Sequence, residues 1–112
     1  MSKVKIKIDL KPSWAGELIK SNLPVAIKYS WAVEVSMSFK NTGPQTWAKP
    51  TLYLNDEKLV KSKEEVVSEG IVKFNFVLPE LSEGVQKLVF EVKDKNKNIN
   101  GGRVLALMRV DE

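Results

Sequence analysis

The strongest constraint on the fold is the alternation of apolar and polar residues between positions 27 and 39. Every second residue there is apolar, and the residues between are charged or small. Because the side chains of a β-strand point alternately to opposite faces, this pattern predicts a half-buried strand. The apolar positions are Ile27, Tyr29, Trp31, Val33, Val35, Met37 and Phe39.

This segment is too long for one regular strand. Fourteen residues, 27 to 40, would span about 46 Å, whereas a typical strand has about 5–6 residues. We therefore expect a bend or bulge near residues 30–32, or a strand that passes from one sheet to the other.

Similar patterns, separated by turn signals, recur along the chain. They predict strands at residues 4–10, 51–55, 59–60, 66–67, 71–78, 85–93 and 103–110. Residues 94–102 are predicted to form a polar loop, and no long segment has the helical period. About seven to eight short strands in a single domain over residues 1–112 predict an all-β sandwich or barrel.

Residues 11–24 are the least regular stretch. Pro12 and Pro24 bracket it, and Ser13 is a candidate cap for a short helix over residues 14–20. A helical turn or a packed loop is expected here. The lysines of the preceding strand, Lys3, Lys5 and Lys7, suit an edge strand.

A strand followed by an Asn-Thr-Gly turn, at residues 33–43, carries a family resemblance. With the strand at 52–55, the turn at Gly70 and the residues 81–84, it resembles the adhesion-related immunoglobulin-like domains of bacteria and archaea. The turn followed by Trp47 also resembles the four-tryptophan domain of an autophagy receptor. The likeness covers residues 31–93 and implies an immunoglobulin-like antiparallel β-sandwich with a binding or scaffolding role. In the turn we expect positive φ at Gly43.

The absence of histidine and cysteine limits the chemistry. It removes Ser-His-Asp and Cys-His catalysis and the common zinc and redox sites. The paired glutamates lie in charged turns and are expected to be exposed to solvent. The loop at residues 94–100 has one acid, Asp94, among lysines, so a calcium site is not favoured. We predict no enzyme, no cofactor and no metal.

The net charge of +4 comes from 16 lysines and two arginines against 14 acids. It favours an acidic partner, and nucleic acid stays open as a less favoured one because phosphate and base recognition prefer arginine. Without a signal-peptide pattern or an apolar run of about 20 residues, we expect a cytoplasmic protein with no membrane insertion. Lysine, glutamate and missing cysteine fit a thermophile, whereas seven asparagines argue against one.

Apolar residues occupy both faces of the C-terminal strands. Val104, Ala106, Met108 and Val110 share one face of the last strand, and Leu105 and Leu107 share the other with Val89 of the preceding strand. This second group forms an exposed stripe unless something covers it. Two alternatives for what covers this stripe stay open. One is the segment 11–24, with Trp14, Leu18 and Ile19, and the other is a protein partner with Arg103 and Arg109 at the rim.

The sequence therefore favours a non-enzymatic protein-interaction or structural module. It would act as a homo-oligomer or as a subunit of a larger assembly such as a filament, envelope or virion. The alternative is a sandwich that binds carbohydrate or nucleic acid with exposed aromatics and lysines. Candidate stacking residues are Trp14, Tyr29 and Trp47, whereas Trp31 is expected in the core.

Overall fold

The computed structural model describes residues 13–95 and 97–112, and these residues form eight β-strands. In this part of the chain no helix is long and apolar enough to cross a membrane. The predicted strand at residues 4–10 lies outside the described residues. The strands are β1 (Gly16–Ser21), β2 (Ala26–Lys28), β3 (Glu34–Asn41), β4 (Pro50–Leu54), β5 (Glu57–Lys61), β6 (Ile71–Val77), β7 (Gly84–Asp94) and β8 (Lys97–Asp111).

The strands form two sheets packed face to face. One has three strands in the order β1-β3-β6, and the other has five in the order β2-β8-β7-β4-β5. All neighbours are antiparallel except β2 and β8, which run parallel. The arrangement is that of an immunoglobulin-like sandwich, in which two antiparallel sheets share one core. The predicted fold class is confirmed.

The core fills the space between the two sheets. Phe39 and Phe74 of the three-stranded sheet meet edge to face, with ring centroids 6.0 Å apart. Phe76 contacts Phe90 across the sandwich at 5.9 Å. Trp47, which lies between β3 and β4 in the sequence, is also fully buried. Apolar residues at alternate strand positions thus supply the interior that the period-two pattern predicted.

The long alternating segment is divided between the two sheets. β2 pairs with β8, the chain then leaves the five-stranded sheet, and β3 joins the three-stranded sheet. Of the two predicted alternatives, the passage from one sheet to the other is confirmed. Trp31 lies in this crossover and leaves 58% of its surface exposed, so its predicted place in the core is wrong.

The described part of the segment 11–24, residues 13–24, contains a strand where a helical turn or a packed loop was expected. β1 pairs with β3 and has a register shift between Leu18 and Lys20, where Ile19 is the extra residue. Gly16 begins this strand against the indole of Trp47, and an added Cβ there would come within 2.7 Å of the ring. Since β1 belongs to the three-stranded sheet, one of the two alternatives, that this segment covers the outer face of β7 and β8, is wrong.

The predicted polar loop at residues 94–102 is mostly a β-hairpin. β7 and β8 pair as far as Asp94 and Lys97, but the register shifts between Glu91 and Lys93, so residues 99–102 of β8 bulge out of this ladder. Ile99 is buried. Gly101 has a φ of 85°, and an added Cβ would overlap the carbonyl oxygen of Gly16. The close approach of these two strands explains why the hairpin needs glycine here.

The Asn-Thr-Gly turn is held by the side chain of Asn41. Its Nδ2 donates to the carbonyl oxygens of Gln45 at 2.8 Å and Val66 at 2.9 Å, and its Oδ1 accepts the Gly43 N–H at 3.1 Å. Asn41 is fully buried. Gly43 is not among the described residues with positive φ, so that expectation is wrong, and the asparagine side chain makes the turn instead.

Candidate protein-interaction surface

The register of β7 and β8 places the predicted stripe on the outer face of the five-stranded sheet. Val89 lies beside Leu105, and Lys87 lies beside Leu107. Leu105 and Leu107 leave 59% and 66% of their surface exposed, whereas Val89 is half-buried. The alternate residues of β8, from Val104 to Val110, point into the sandwich, so the two leucines cannot reach the core.

One further residue belongs to this surface. Val85 occupies the same face of β7 as Val89 and is 71% exposed. The signal was present in the sequence, because Val85 is four residues before Val89 and therefore shares its face. We call Val85, Val89, Leu105 and Leu107 the apolar stripe.

Both predicted rim residues flank the apolar stripe. Arg103 is paired in register with Glu91, at the end of the stripe nearest Val89. Arg109 lies beside Val85 at the other end, and its Nε donates to the Asp111 carboxylate at 2.9 Å and 3.1 Å. Two exposed guanidinium groups therefore bracket an apolar centre, which is the ordinary composition of a docking surface and its rim.

A shallow recess adjoins the stripe beside Val89. It has a volume of about 360 Å³, and Asn55, Asp56 and Arg103 line it together with Val89 and Glu91. The Asn55 side chain accepts the Val89 N–H at 2.9 Å, and its φ is 48°. This hydrogen bond fixes the turn between β4 and β5 against β7, so the recess has rigid walls.

The three predicted stacking residues do not form one site. Trp47 is fully buried, so its predicted availability for stacking is wrong. Trp14 is half-buried with the Lys97 ammonium 4.6 Å from its ring centre. Tyr29 is near the end of β8, where its N–H donates to the Asp111 carbonyl oxygen at 2.7 Å, and Trp14 is near the start of β8. These two rings lie at opposite ends of one strand.

The Tyr29 hydroxyl donates to the Glu80 carboxylate at 2.9 Å. This hydrogen bond and the negative charge of Glu80 raise the pKa of Tyr29 above its ordinary value. The ring is thus tied to the β6–β7 loop, which gives it a structural role.

Carboxylates in the described residues are not arranged as a metal site. No group of three acidic side chains that could hold a metal ion occurs among residues 13–95 and 97–112. Asp94 is buried, and its two oxygens accept the backbone N–H groups of Ala48 and Lys49 at 3.0 Å and 2.9 Å. The one acid of the predicted polar loop therefore anchors the start of β4.

A scan against protein-family models and a search of curated proteins find no match to this chain. Solved structures do match. The CARDB domain of a Pyrococcus furiosus protein, solved in solution, has a TM-score of 0.64 at 14% identity, with 88% of this chain and 94% of that chain covered. Its crystal structure in complex with di-metal ions gives a TM-score of 0.60 at 18% identity, with 88% of each chain covered.

Two further kinds of protein share the fold. A domain of a putative cell surface protein from Methanosarcina acetivorans matches with a TM-score of 0.59 at 14% identity, covering 88% of this chain and 94% of that chain. A β-glucosidase from Listeria innocua matches with a TM-score of 0.60 at 14% identity, covering 91% of this chain and only 17% of the enzyme. At these identities the likeness shows a shared fold, that of the CARDB immunoglobulin-like domains.

Proposed function

We propose that the chain is a non-enzymatic interaction module that docks a protein partner through the apolar stripe. The exposure of Leu105 and Leu107, at successive outward positions of β8, carries the proposal. The outer face of a sandwich sheet ordinarily bears polar side chains. Adjoining exposed apolar side chains with a polar rim are typical of protein-interaction surfaces.

The rim of the stripe defines the partner's chemistry. Arg103 and Arg109 stand at its two ends, and the Lys87 side chain lies between them beside Leu107. A partner that presents an apolar patch flanked by carboxylates would match both features. Such a partner is another protein or a second copy of this chain. Membership of a filament, an envelope or a virion stays a prediction.

The structural neighbours support an accessory role. One of them is described as a cell surface protein, and in the β-glucosidase the matching domain is a small part of a long chain. Both cases are consistent with a module that serves a larger assembly. The Asn-Thr-Gly turn as a shared signature of such domains, and the cytoplasmic location expected from the sequence, stay predictions.

Substitution of the two exposed leucines tests the proposal. We expect Leu105→Lys with Leu107→Lys to reduce self-association or partner binding by at least about 10-fold, because two ammonium groups would have to be buried in an apolar interface. Light scattering at increasing concentration measures self-association. Binding to a partner is measured by titration of the purified pair.

A matched control exists on the opposite sheet. Ile71 and Val77 are also exposed apolar residues, at 59% and 54%, and they lie on the outer face of β6. Ile71→Lys with Val77→Lys introduces the same charge and should leave association unchanged. Two results together would contradict the proposal. They are a chain that stays monomeric at all concentrations, and partner binding that is unchanged by the Leu105 and Leu107 substitutions.

A further inference from the structure

The outer face of the five-stranded sheet carries a second feature, at the β4–β5 side. It is an open pocket of about 310 Å³ with Thr51 and Tyr53 on its floor. Four lysines surround the floor, and no acidic residue lines the pocket. We call it the lysine pocket. Its lysines are Lys49, Lys58, Lys61 and Lys95.

Strand register brings these lysines together. Thr51 pairs with Lys61 of β5 on one side and with Lys93 of β7 on the other. Tyr53 pairs with Lys58, after a register shift that follows Leu52. Neighbouring strands are about 4.8 Å apart, so Lys61 and Lys58 lie directly beside the two floor residues, and Glu91 of β7 lies beside Tyr53 on its other side.

The positive charge of the pocket is not neutralised by the described residues. None of the four lining lysines makes an ion pair within residues 13–95 and 97–112. Lys93, at the edge, contacts Glu91 at 3.5 Å, and its ammonium is 5.3 Å from the centre of the Tyr53 ring. This local excess of positive charge would attract an anion.

We propose that the lysine pocket binds an acidic polysaccharide. The lysines supply point charges for its sulfate or carboxylate groups, and the hydroxyls of Thr51 and Tyr53 supply hydrogen bonds for its sugar hydroxyls. An open pocket on a flat sheet accepts a linear polymer that passes through it.

Two other polyanions fit the pocket less well. Single-stranded nucleic acid needs aromatic faces for its bases, but Lys93 lies over the one ring in the pocket. An acidic peptide is bound most often by backbone pairing at a sheet edge. The floor strand, β4, is paired on both sides, with β5 and β7, so a peptide on the floor would find no free backbone groups. A peptide paired to the outer edge of β5 would lie beside the pocket and leave its floor uncovered.

The test is titration calorimetry with heparin as a sulfated probe and polygalacturonate as a carboxylated one. We expect the whole chain to bind both probes. Its affinity should fall roughly 100-fold between about 50 and 200 mM salt, because about four ammonium groups are engaged. Lys58→Gln with Lys61→Gln and Lys95→Gln should weaken it on the order of 100-fold.

A control of equal charge isolates the pocket. Lys20 and Lys73 lie on the three-stranded sheet, and Lys28 lies on β2, far along the sheet from β5. Their triple change to glutamine removes the same three charges and should alter affinity less than about 3-fold. Backbone amide shifts of the unaltered protein provide a second measurement, and heparin should move those at residues 49–61 and 91–95 first.

Four results would overturn the proposal. They are no binding of either polysaccharide, equal losses in the two triple variants, shift changes centred away from the pocket, and tighter binding of single-stranded DNA or polyglutamate at matched charge. The apolar stripe is not involved, so a change of Leu105 and Leu107 to serine should leave heparin binding intact.

Discussion

At the scale of single residues, Asn41 holds the structure together more than any other polar side chain described above. It makes three hydrogen bonds in a fully buried position, and it joins the end of β3 to the segments at Gln45 and Val66. Buried polar groups that lose their partners are costly, since water cannot replace the lost bonds.

We predict that Asn41→Ala lowers the free energy of unfolding by about 3 kcal/mol, because it removes three hydrogen bonds from a buried position. The Val66 carbonyl oxygen and the Gly43 N–H keep their backbone partners, Trp47 and Ala15, but the Gln45 carbonyl oxygen loses its side-chain donor. Urea denaturation measures the change. Asn75→Ala, on the exposed face of β6, serves as the control and should cost less than about 0.5 kcal/mol. Similar losses in the two variants would show that the Asn41 network has no special role.

Substitutions at two glycines distinguish the cost of backbone strain from the cost of steric overlap. Gly84 has a φ of 101° with no atom near the site of an added Cβ, whereas Gly101 has a φ of 85° and would place its Cβ on the Gly16 carbonyl oxygen. Gly84→Ala should cost about 1–2 kcal/mol from strain alone. Gly101→Ala should cost clearly more, about 3 kcal/mol or above, because β8 must also move away from β1. Thermal unfolding of both variants gives the comparison, and equal costs would refute the close approach.

At the scale of elements, the strands with clean alternation were predictable and the irregular ones were not. The strands β3, β6 and β7 bury every second side chain, so their pattern is visible in the sequence. In β1 the extra residue Ile19 breaks the period, and the segment therefore resembled a loop. The start of β8 is polar except for the buried Ile99, and residues 99–102 bulge out of the ladder with β7, so its sequence carries no strand pattern.

The two surface features also differ in how far the sequence predicts them. The apolar stripe was predictable because Leu105 and Leu107 stand at alternate positions of a strand whose other face is also apolar. The lysine pocket was not, because Lys58, Lys61 and Lys95 converge only through the pairing of β5, β4 and β7.

The crossover between the sheets is tied to the β6–β7 loop through Tyr29 and Glu80. We predict that Glu80→Gln lowers the pKa of Tyr29 toward its ordinary value of about 10, because the negative charge that opposes ionisation is lost. The folded state raises this pKa, so the contact contributes to folding stability in full when the pH is below the pKa of the unfolded state. The contribution is lost as the pH rises through the pKa of the folded state. Tyrosinate absorbance in a Tyr53→Phe background follows Tyr29 alone. An unchanged titration curve would mean that the contact does not form in solution.

At the scale of the whole molecule, the two sheets differ in what their outer faces carry. The five-stranded sheet has the apolar stripe at β7 and β8 and the lysine pocket around β4 and β5, and Glu91 lies between the two. The outer face of the three-stranded sheet mixes both charges, with Lys40 and Glu69 paired at 2.9 Å. This asymmetry places both proposed binding surfaces on one side of the sandwich.

Site-specific photo-crosslinking tests the proposed interface at the apolar stripe most directly. A benzophenone side chain placed at Leu107 lies within the stripe, and the same group at Ile71 lies on the opposite sheet with comparable exposure. We predict that position 107, after irradiation of the native cells, forms a discrete adduct with one protein or a second copy of the chain, and that position 71 does not. Adducts that are absent at position 107, or that are the same from both positions, would contradict an interface at the outer face of β7 and β8.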